Sequence, residues 1–480
     1  MKLTRIYNTK NYILKIYSVL LFWFFIVIYG FLVFYHSYNT NSDMIIISFF
    51  LLLGLICLLI LSKEIFKYSY SLNMMHWFFI LIFYGIAAFY QFLNNSFLYF
   101  RFPNKELLMY TMLIIFIWTL SYYVGSKTVN TTVNTTGKYG KANFFFQKIN
   151  YNSNFIVLAT VISVVLSLYI IFVDGFESIF SRATAHAAFV QSSLAGTQLV
   201  NYSVRNFVLY QLAVSILIYK KQRKFLILLL IQFCCNFIVN TPFGMPRFQV
   251  ATVYLGLLLT IFSKLKKNKI FIFIFLVSMI VIFPVINLFR GNSLLSTLPN
   301  ISINIDKIRN DYLTGNYDAF IMIFYAINYV KNYGITYGRQ LLGVIGFFIP
   351  RVIWHSKPIG SGAHVLVAYG HSFTNGSMPL IAEGYINFGI IGVIIFGFIT
   401  GKLVKTIDRF YWGFIRNNSN YDTFLTIFYP FSMFLFYFMN RGDLLSTFAY
   451  FVSHLAVYTA VFTINKLFRE FPLKKTQSFY

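Results

Sequence analysis

Acidic side chains are scarce in this chain, with 13 Asp and Glu against 39 Lys and Arg. Charge of either sign is scarce too, at 11% of residues, and there are only three cysteines. Each shortage excludes something. So few charges beside 58% hydrophobic and 21% aromatic residues exclude a soluble domain, which cannot hide that much apolar surface. Cys57, Cys234 and Cys235 all lie in apolar runs, which excludes a disulfide framework or a cysteine-based zinc site. The few carboxylates form no cluster of metal-binding type, so neither a metal nor another cofactor is expected. The formal charge of +26 would suggest nucleic acid in a soluble chain. Here most cations flank apolar segments and no nucleic-acid motif accompanies them, so they read as topogenic charge. No repeat of about 20–50 residues is visible. The basic, apolar N-terminus is followed by no small-residue cleavage site, so its first segment reads as a retained span.

What the chain does have is apolar segments of membrane-crossing length, about 20 residues each. They fall near 13–35, 44–62, 75–93, 107–124, 155–173, 204–220, 224–240, 248–263, 270–288, 379–401, 422–440 and 444–465. The expected fold is an all-α integral membrane protein of about twelve transmembrane helices. Alternate connections are rich in Lys, and 26 of the 39 cations fall on one side. The positive-inside rule then puts both termini in the cytoplasm. The polar loop "NTTVNTTG" is also inside, which discounts glycosylation at Asn130 and Asn134.

Cation type is informative. Inside, the arginines are Arg5, Arg223, Arg409, Arg416 and Arg469; outside they are Arg101, Arg182, Arg205, Arg247, Arg290, Arg309, Arg339, Arg351 and Arg441. Topology needs only charge, so arginine chosen on the outer face suggests geometry. A guanidinium fork grips phosphate or carboxylate at two points, where an ammonium is a point charge.

The expected organisation is residues 1–288 as transmembrane helices 1–9, 289–378 as an extracytoplasmic loop subdomain, and 379–480 as helices 10–12 with a cytoplasmic tail. A connection of this length without structure would be unusual, so it should be functional. Asp318 is placed to cap a helix over "DAFIMIFYAINYVKNYG", lying in the interface or against the bundle. "LLGVIGFFIP" is apolar but too short to cross, and fits a re-entrant or buried segment.

Five short motifs reach the outer face: "SRATAH" with Arg182, "GMPRFQ" with Arg247, "FRGN" with Arg290, "IPRVIWHSKP" with Arg351 and Lys357, and "NRGDLL" with Arg441 and Asp443. Charges near one depth in a membrane usually mark a site. Glu383 lies four residues beyond Pro379, roughly 6 Å deeper along a helix. Either an arginine pairs with it or it works as an acid or base. The glycines after it, Gly389, Gly392, Gly397 and Gly401, permit close helix packing. His355, His364 and His371 match no common zinc spacing. Asp311 and Asp318 are candidates to hold a sugar hydroxyl or simply to cap and solvate. Trp354 is a candidate to stack on a sugar or to anchor at headgroups.

"FFIPRVIWHSKPIGSG", then "NGSMPLIAEGYINFGIIGVIIFGFITG", then "NRGDLL" resemble the Wzy family of O-antigen and capsular polysaccharide polymerases. "TPFGMPRFQV" and "NYDAF" extend the resemblance loosely upstream, and the first 200 residues share only the pattern of spans. His355 stands where a more neutral residue is expected. The resemblance implies a GT-C-type membrane glycosyltransferase bundle in the bacterial inner membrane, with its active site extracytoplasmic. It implies transfer of a growing glycan from undecaprenyl diphosphate onto a lipid-linked repeat unit. Membrane lipid and a Wzz-like chain-length regulator would be partners; nucleic acid would not. Fixed arginines would stabilise the diphosphate leaving group without a metal. In this reading Arg351, Arg247 and Arg441 meet the diphosphate, Arg290 and Lys357 support it, and Glu383 or His355 is the base. Arg182, Asp318, Asp443 and Trp354 complete the substrate-binding set. The alternatives are a lipid-linked oligosaccharide flippase, which would show internal repeats and short loops, and an O-antigen ligase.

Overall fold

The computed structural model describes residues 2–34, 43–98, 104–129, 149, 152–179, 197–266, 268–287, 305–417 and 422–470. Among these the chain is helical, with no strands. The helices are α1 (Lys2–Phe34), α2 (Met44–Lys67), α3 (Leu72–Leu93), α4 (Lys105–Lys127), α5 (Ser153–Asp174), α6 (Thr197–Lys221), α7 (Leu226–Val239) and α8 (Arg247–Ile261). They continue with α9 (Ile270–Asn287), α10 (Ile305–Asp311), α11 (Ala319–Tyr333), α12 (Arg339–Ile345), α13 (Ser361–Ala368), α14 (Leu380–Asn417), α15 (Phe424–Arg441) and α16 (Leu444–Glu470). Among the described residues eight helices are long and apolar enough to cross a membrane: α1, α2, α3, α4, α5, α9, α14 and α16. The protein is therefore a helical membrane protein. The other four expected spans also hold helices, α6, α7, α8 and α15, but these do not combine the same length and hydropathy.

Short polar side chains start the helices. Asp43, Asn104 and Asn152 each accept a hydrogen bond from the first turn they precede, and Thr423 closes a reciprocal cap with Thr426. In hydrocarbon an unpaired N–H has no water to turn to, so such caps matter more than in a soluble protein. Apolar side chains face outward, as Leu20, Phe24 and Phe31 on α1 and Leu168 and Phe172 on α5 do. Polar ones face inward. Ser163 of α5 donates to Gln211 of α6 at 2.6 Å, and Gln232 of α7 donates to Thr160 of α5 at 2.8 Å. Lipid gives helices no hydrophobic reason to associate, so such bonds and close backbone approach hold them together.

The closest approach joins α4 and α14. A Cβ added to Gly125 would sit 2.1 Å from the Phe398 carbonyl oxygen, and one on Gly401 2.1 Å from that of Tyr122. Ser121 also donates to the Ile394 carbonyl at 2.6 Å. The expected packing role of Gly401 is thus realised, and Gly397 lies against Ser121 and Trp118.

Within α14 the expectation of one straight span from 379 fails. Phe388 and Gly389 leave helical geometry, Gly389 at φ 62°. A Cβ on Gly392 would lie 1.9 Å from the Gly384 carbonyl oxygen. Eight residues of straight helix would separate those positions by about 12 Å. The chain therefore doubles back: residues 380–387 form a short limb packed antiparallel to the start of the long helix that follows. Pro379 lies at the far end of that limb, so depth increases from Glu383 toward Pro379, opposite to the sequence expectation. Asp318 does sit at the N-terminus of α11, but makes no side-chain cap there. Helix α11 is buried from Ala319 through Ile327, against the bundle rather than at its surface.

We call the end of the bundle that carries Arg441 the site end, and the end that carries Lys67 and Lys405 the basic end. Valine at position 392 should prevent the reversal and destabilise the protein by about 3 kcal/mol. Gly54→Ala, where a Cβ meets nothing within 4 Å, is the control and should leave the melting temperature in detergent unchanged or slightly raised. Equal melting of the two variants would count against the hairpin.

Candidate functional site

Three stretches far apart in sequence meet at the site end: the loop after α12, the limb of α14, and the α15–α16 turn. Their meeting point is the short run Gly360–Ser361–Gly362. Glu383, fully buried on the limb, accepts from Ser361 Oγ at 2.7 Å through Oε2 and from the Leu444 N–H at 2.9 Å through Oε1. Asp443 accepts from the Gly362 N–H at 3.0 Å and, through its other oxygen, from the Leu445 N–H at 3.0 Å. Both carboxylates thus sit at the N-terminus of α16, where the helix dipole favours negative charge. Burial holds the Asp443 carboxyl above its usual range against the pull of three backbone N–H groups. A Cβ on Gly360 would meet Asp443 Oδ2 at 2.3 Å and one on Gly362 would meet the Gly376 carbonyl oxygen at 2.5 Å, so the run accepts no larger residue.

Beside this grip lies a layer of buried ion pairs. Arg247, 3% exposed, reaches Asp311 at 3.3 Å and the Asn316 carbonyl at 2.7 Å. Arg441 reaches Asp318 at 2.9 Å and the Gly315 carbonyl at 2.7 Å. Asp318 also accepts from the Ser377 N–H at 3.1 Å, tying the limb to α15 through α11. The Phe248 ring lies 5.2 Å from the Arg247 guanidinium and 5.4 Å from that of Arg441. Arg205 repeats the pattern elsewhere, bridging Asp174 at 2.7 Å and the Val239 carbonyl. Fork geometry does explain the choice of arginine at Arg247 and Arg205, but each of these forks spans a carboxylate and a carbonyl of the protein itself, and Arg441 reaches the same two kinds of partner through one nitrogen. At this end the buried Arg247 and Arg309 and the half-buried Arg441 lie with the carboxylates Asp311, Asp318, Glu383 and Asp443, and Arg309 pairs with the exposed Asp306. Among the described residues no arginine or lysine forms an ion pair with Glu383; its partners there are a hydroxyl and an amide.

Cations near solvent at this end include Lys331, Arg339 and those of the loop. Arg351 is exposed and donates to the carbonyls of Lys357 at 2.9 Å and Pro358 at 3.5 Å. Lys357 donates to the carbonyls of Phe347 at 2.6 Å and Ile349 at 3.0 Å. Burial, and then the neighbouring Arg351 charge, bring its ammonium below the usual lysine range. The two cations therefore staple a tight turn while leaving other N–H groups free. His355 is exposed at the tip of the turn, and Trp354 packs its ring over Gly346. Val352 (79% exposed), Ile353 (75%), Ile345 and Phe348 form an apolar fringe around the turn.

The three histidines do not converge. His364 pairs with the Tyr329 hydroxyl at 2.9 Å and His371 with that of Tyr325 at 3.0 Å, away from His355. Among the described residues no group of three His, Cys, Asp or Glu could hold a metal ion. Arg182 and Arg290 lie outside the described residues. Sequence reasoning missed Ser361, Gly360, Gly362, Phe248 and Ser377. The "GSG" run was visible inside the quoted motif, and Asp443 just before an apolar run is an N-cap signal. Comparison of the chain with family models, curated proteins and solved structures returns no match.

Replacing Arg441 or Asp318 alone by Ala should destabilise the protein by about 3–5 kcal/mol, because each leaves a buried charge unpaired. The double variant should lose much less than the sum. Additive losses in detergent melts would show that the pair is not coupled.

Proposed function

We propose that this chain is a membrane glycan polymerase, which joins lipid-linked oligosaccharides at the site end. What supports the reading is one convergence: the three stretches that carry the resemblance to the Wzy polymerases meet through Ser361–Glu383–Leu444, Gly362–Asp443 and Arg441–Asp318–Ser377. In this reading the bundle is of the GT-C type, α6, α7, α8 and α15 complete twelve crossings, both termini are cytoplasmic, and the site end is extracytoplasmic in a bacterial inner membrane.

The donor is a growing glycan on undecaprenyl diphosphate; the acceptor is a sugar hydroxyl of a lipid-linked repeat unit. The acceptor oxygen bonds to the donor C1 as the C1–O bond to diphosphate breaks. The electron pair leaves with the diphosphate. Because Arg247 and Arg441 are paired with aspartates, the diphosphate falls to the exposed Arg351 and the half-buried Lys357, which bond only carbonyls. Donors aimed at a leaving group as its charge grows are worth more in a water-poor site than in bulk water. The apolar fringe, with Trp354, sets the turn among acyl chains where a polyprenyl tail runs. His355 is the exposed acceptor for the hydroxyl proton. Glu383 is a positioning residue: it holds Ser361, and through it the loop.

A second reading, a lipid-linked oligosaccharide transporter, draws on a different observation. Polar groups run through the middle of the bundle: Asp408 accepts from the backbone of Leu72 and Asn73, Asn73 accepts from Tyr122, and His76 bonds Asn440 at 2.8 Å. Gene deletion separates the two. Surface glycan reduced to single repeats on the carrier supports a polymerase, and complete loss of external repeats supports a transporter.

Arg351→Lys should leave the melting temperature within experimental spread and reduce polymer formation about 100-fold or more. Long chains made by that variant would exclude a two-point anion contact at Arg351. Reporter fusions after Thr314 and Gly376 should read as external, and a cytoplasmic signal would overturn the sidedness.

A further inference from the structure

Opposite the site, the basic end gathers cations without matching acid. Three of them surround one ring: Lys67 lies 5.1 Å, Lys405 5.5 Å and Arg416 5.9 Å from the Tyr68 centroid. Lys269 donates to the Tyr68 carbonyl. Arg409 is within electrostatic reach of both Lys67 and Tyr68. Glu64 is the acid here, and it is engaged with Lys405 at 2.5 Å. Asp408 points elsewhere, held by the Leu72 and Asn73 amides and Tyr429. Burial, then the charge of Lys15, push Lys269 down to about 7. Topogenic charge explains a surplus of cations on solvated loops. Lys67 and Arg416 are exposed at helix ends, as topogenic charge would be, but Lys405, Lys269 and Arg409 are half-buried beside them, and like charges gathered there repel.

Two further observations point to what would hold them. Nη1 of Arg409 is fully shielded from solvent and has no hydrogen-bond partner among the described residues. A shielded guanidinium N–H without an acceptor is unfavourable. Beside the cluster, α1 and α2 also enclose an open apolar groove lined by Ile16, Val19, Leu20, Ser62, Lys63 and Phe66. Lys15 connects the two features: its ammonium lies 5.2 Å from the Phe66 ring centroid and acts electrostatically on Lys269.

We propose that the basic end binds one anionic phospholipid, with the headgroup phosphate among Arg409, Arg416, Lys67 and Lys269 and an acyl chain in the α1–α2 groove. The phosphate supplies the acceptor that Arg409 lacks and neutralises the gathered cations; guanidinium and phosphate are matched in geometry. The apolar groove selects a lipid over a free phosphate compound. The site is independent of the chemistry at the other end of the bundle.

The test uses the full chain in nanodiscs and native mass spectrometry. Wild type should retain phosphatidylglycerol in preference to phosphatidylcholine. Arg409→Gln combined with Arg416→Gln should weaken that retention about tenfold, each cation near a headgroup contributing modestly. Should the double variant not fold, Lys67→Gln tests the headgroup and Leu20→Trp the groove, and each should lower retention. Equal retention of the two lipids by wild type, or unchanged retention in the variants, would overturn the proposal. Displacement of the lipid by millimolar inorganic phosphate would overturn the acyl-chain half and leave a plain phosphate site.

Discussion

Two glycines that touch backbone to backbone, Gly384 and Gly392, fix what the site end can be. With any side chain at either position the limb of α14 could not fold down along the helix that follows it. Without that fold Glu383 would stand well above the α15–α16 turn, and its bonds to Ser361 and the Leu444 amide could not form. The turn at Phe388–Gly389 is in turn held from outside: Thr336 donates to the Ile386 carbonyl and bonds the Asn387 side chain, and the Phe388 ring covers Gly338. One sterically enforced reversal thus brings a carboxylate, a tightly packed glycine-rich run and a helix N-terminus together.

Charge at the site end is arranged unlike the expectation of a pool of free arginines. The chain spends its few acids next to its buried arginines, and an ion pair in a low-dielectric setting is tolerated only when its remaining donors and acceptors are satisfied. Arg247 uses the second arm of its fork on a backbone carbonyl, while Arg441 reaches its carboxylate and its carbonyl through the same Nη2. At Arg247 a lysine, a single point charge, could not span both partners from one position. The arginines are therefore rigid struts between α8, α15 and the segment before α11. Anion contact passes to the turn between Pro350 and Pro358, where Arg351 and Lys357 bond only carbonyls and keep their net charge.

Much of the helical fold was legible because lipid makes one demand of a chain: backbone hydrogen bonds satisfied within each apolar run. Runs of about 20 apolar residues and their polar caps therefore appear in the sequence almost directly. The reversal in α14 was not legible, because hydropathy is the same whether "AEGYINFGIIG" runs straight or doubles back. A glycine needed for φ 62°, Gly389, looks the same in sequence as one needed for packing, Gly401. The site was half legible. Arg351, Lys357, Glu383, Asp443, Arg441 and Asp318 could be named from their chemistry, but their partners could not, because Asp318–Arg441 and Gly362–Asp443 are long-range pairs that no local pattern encodes. Glu383 shows the limit: a buried carboxylate called for a partner, and the partner was a serine inside a motif first noticed for its cations.

The two ends of the bundle now contrast in a way that composition alone hides. An overall surplus of cations is spread over the chain, yet at the site end the buried charges favour the acids, and the positive surplus lies in the exposed turn. At the basic end the surplus gathers around the buried Tyr68 ring, with Lys67 and Arg416 exposed and an Arg409 nitrogen shielded and without a hydrogen-bond partner among the described residues. A buried pair stabilises geometry and asks for nothing more. A gathered cluster with a shielded guanidinium N–H favours an anion from outside the chain. The same residue type, arginine, is therefore a strut where an aspartate lies within about 3 Å of it, as at Arg247 and Arg441, and a ligand-seeking group where none does, as at Arg351 and Arg409.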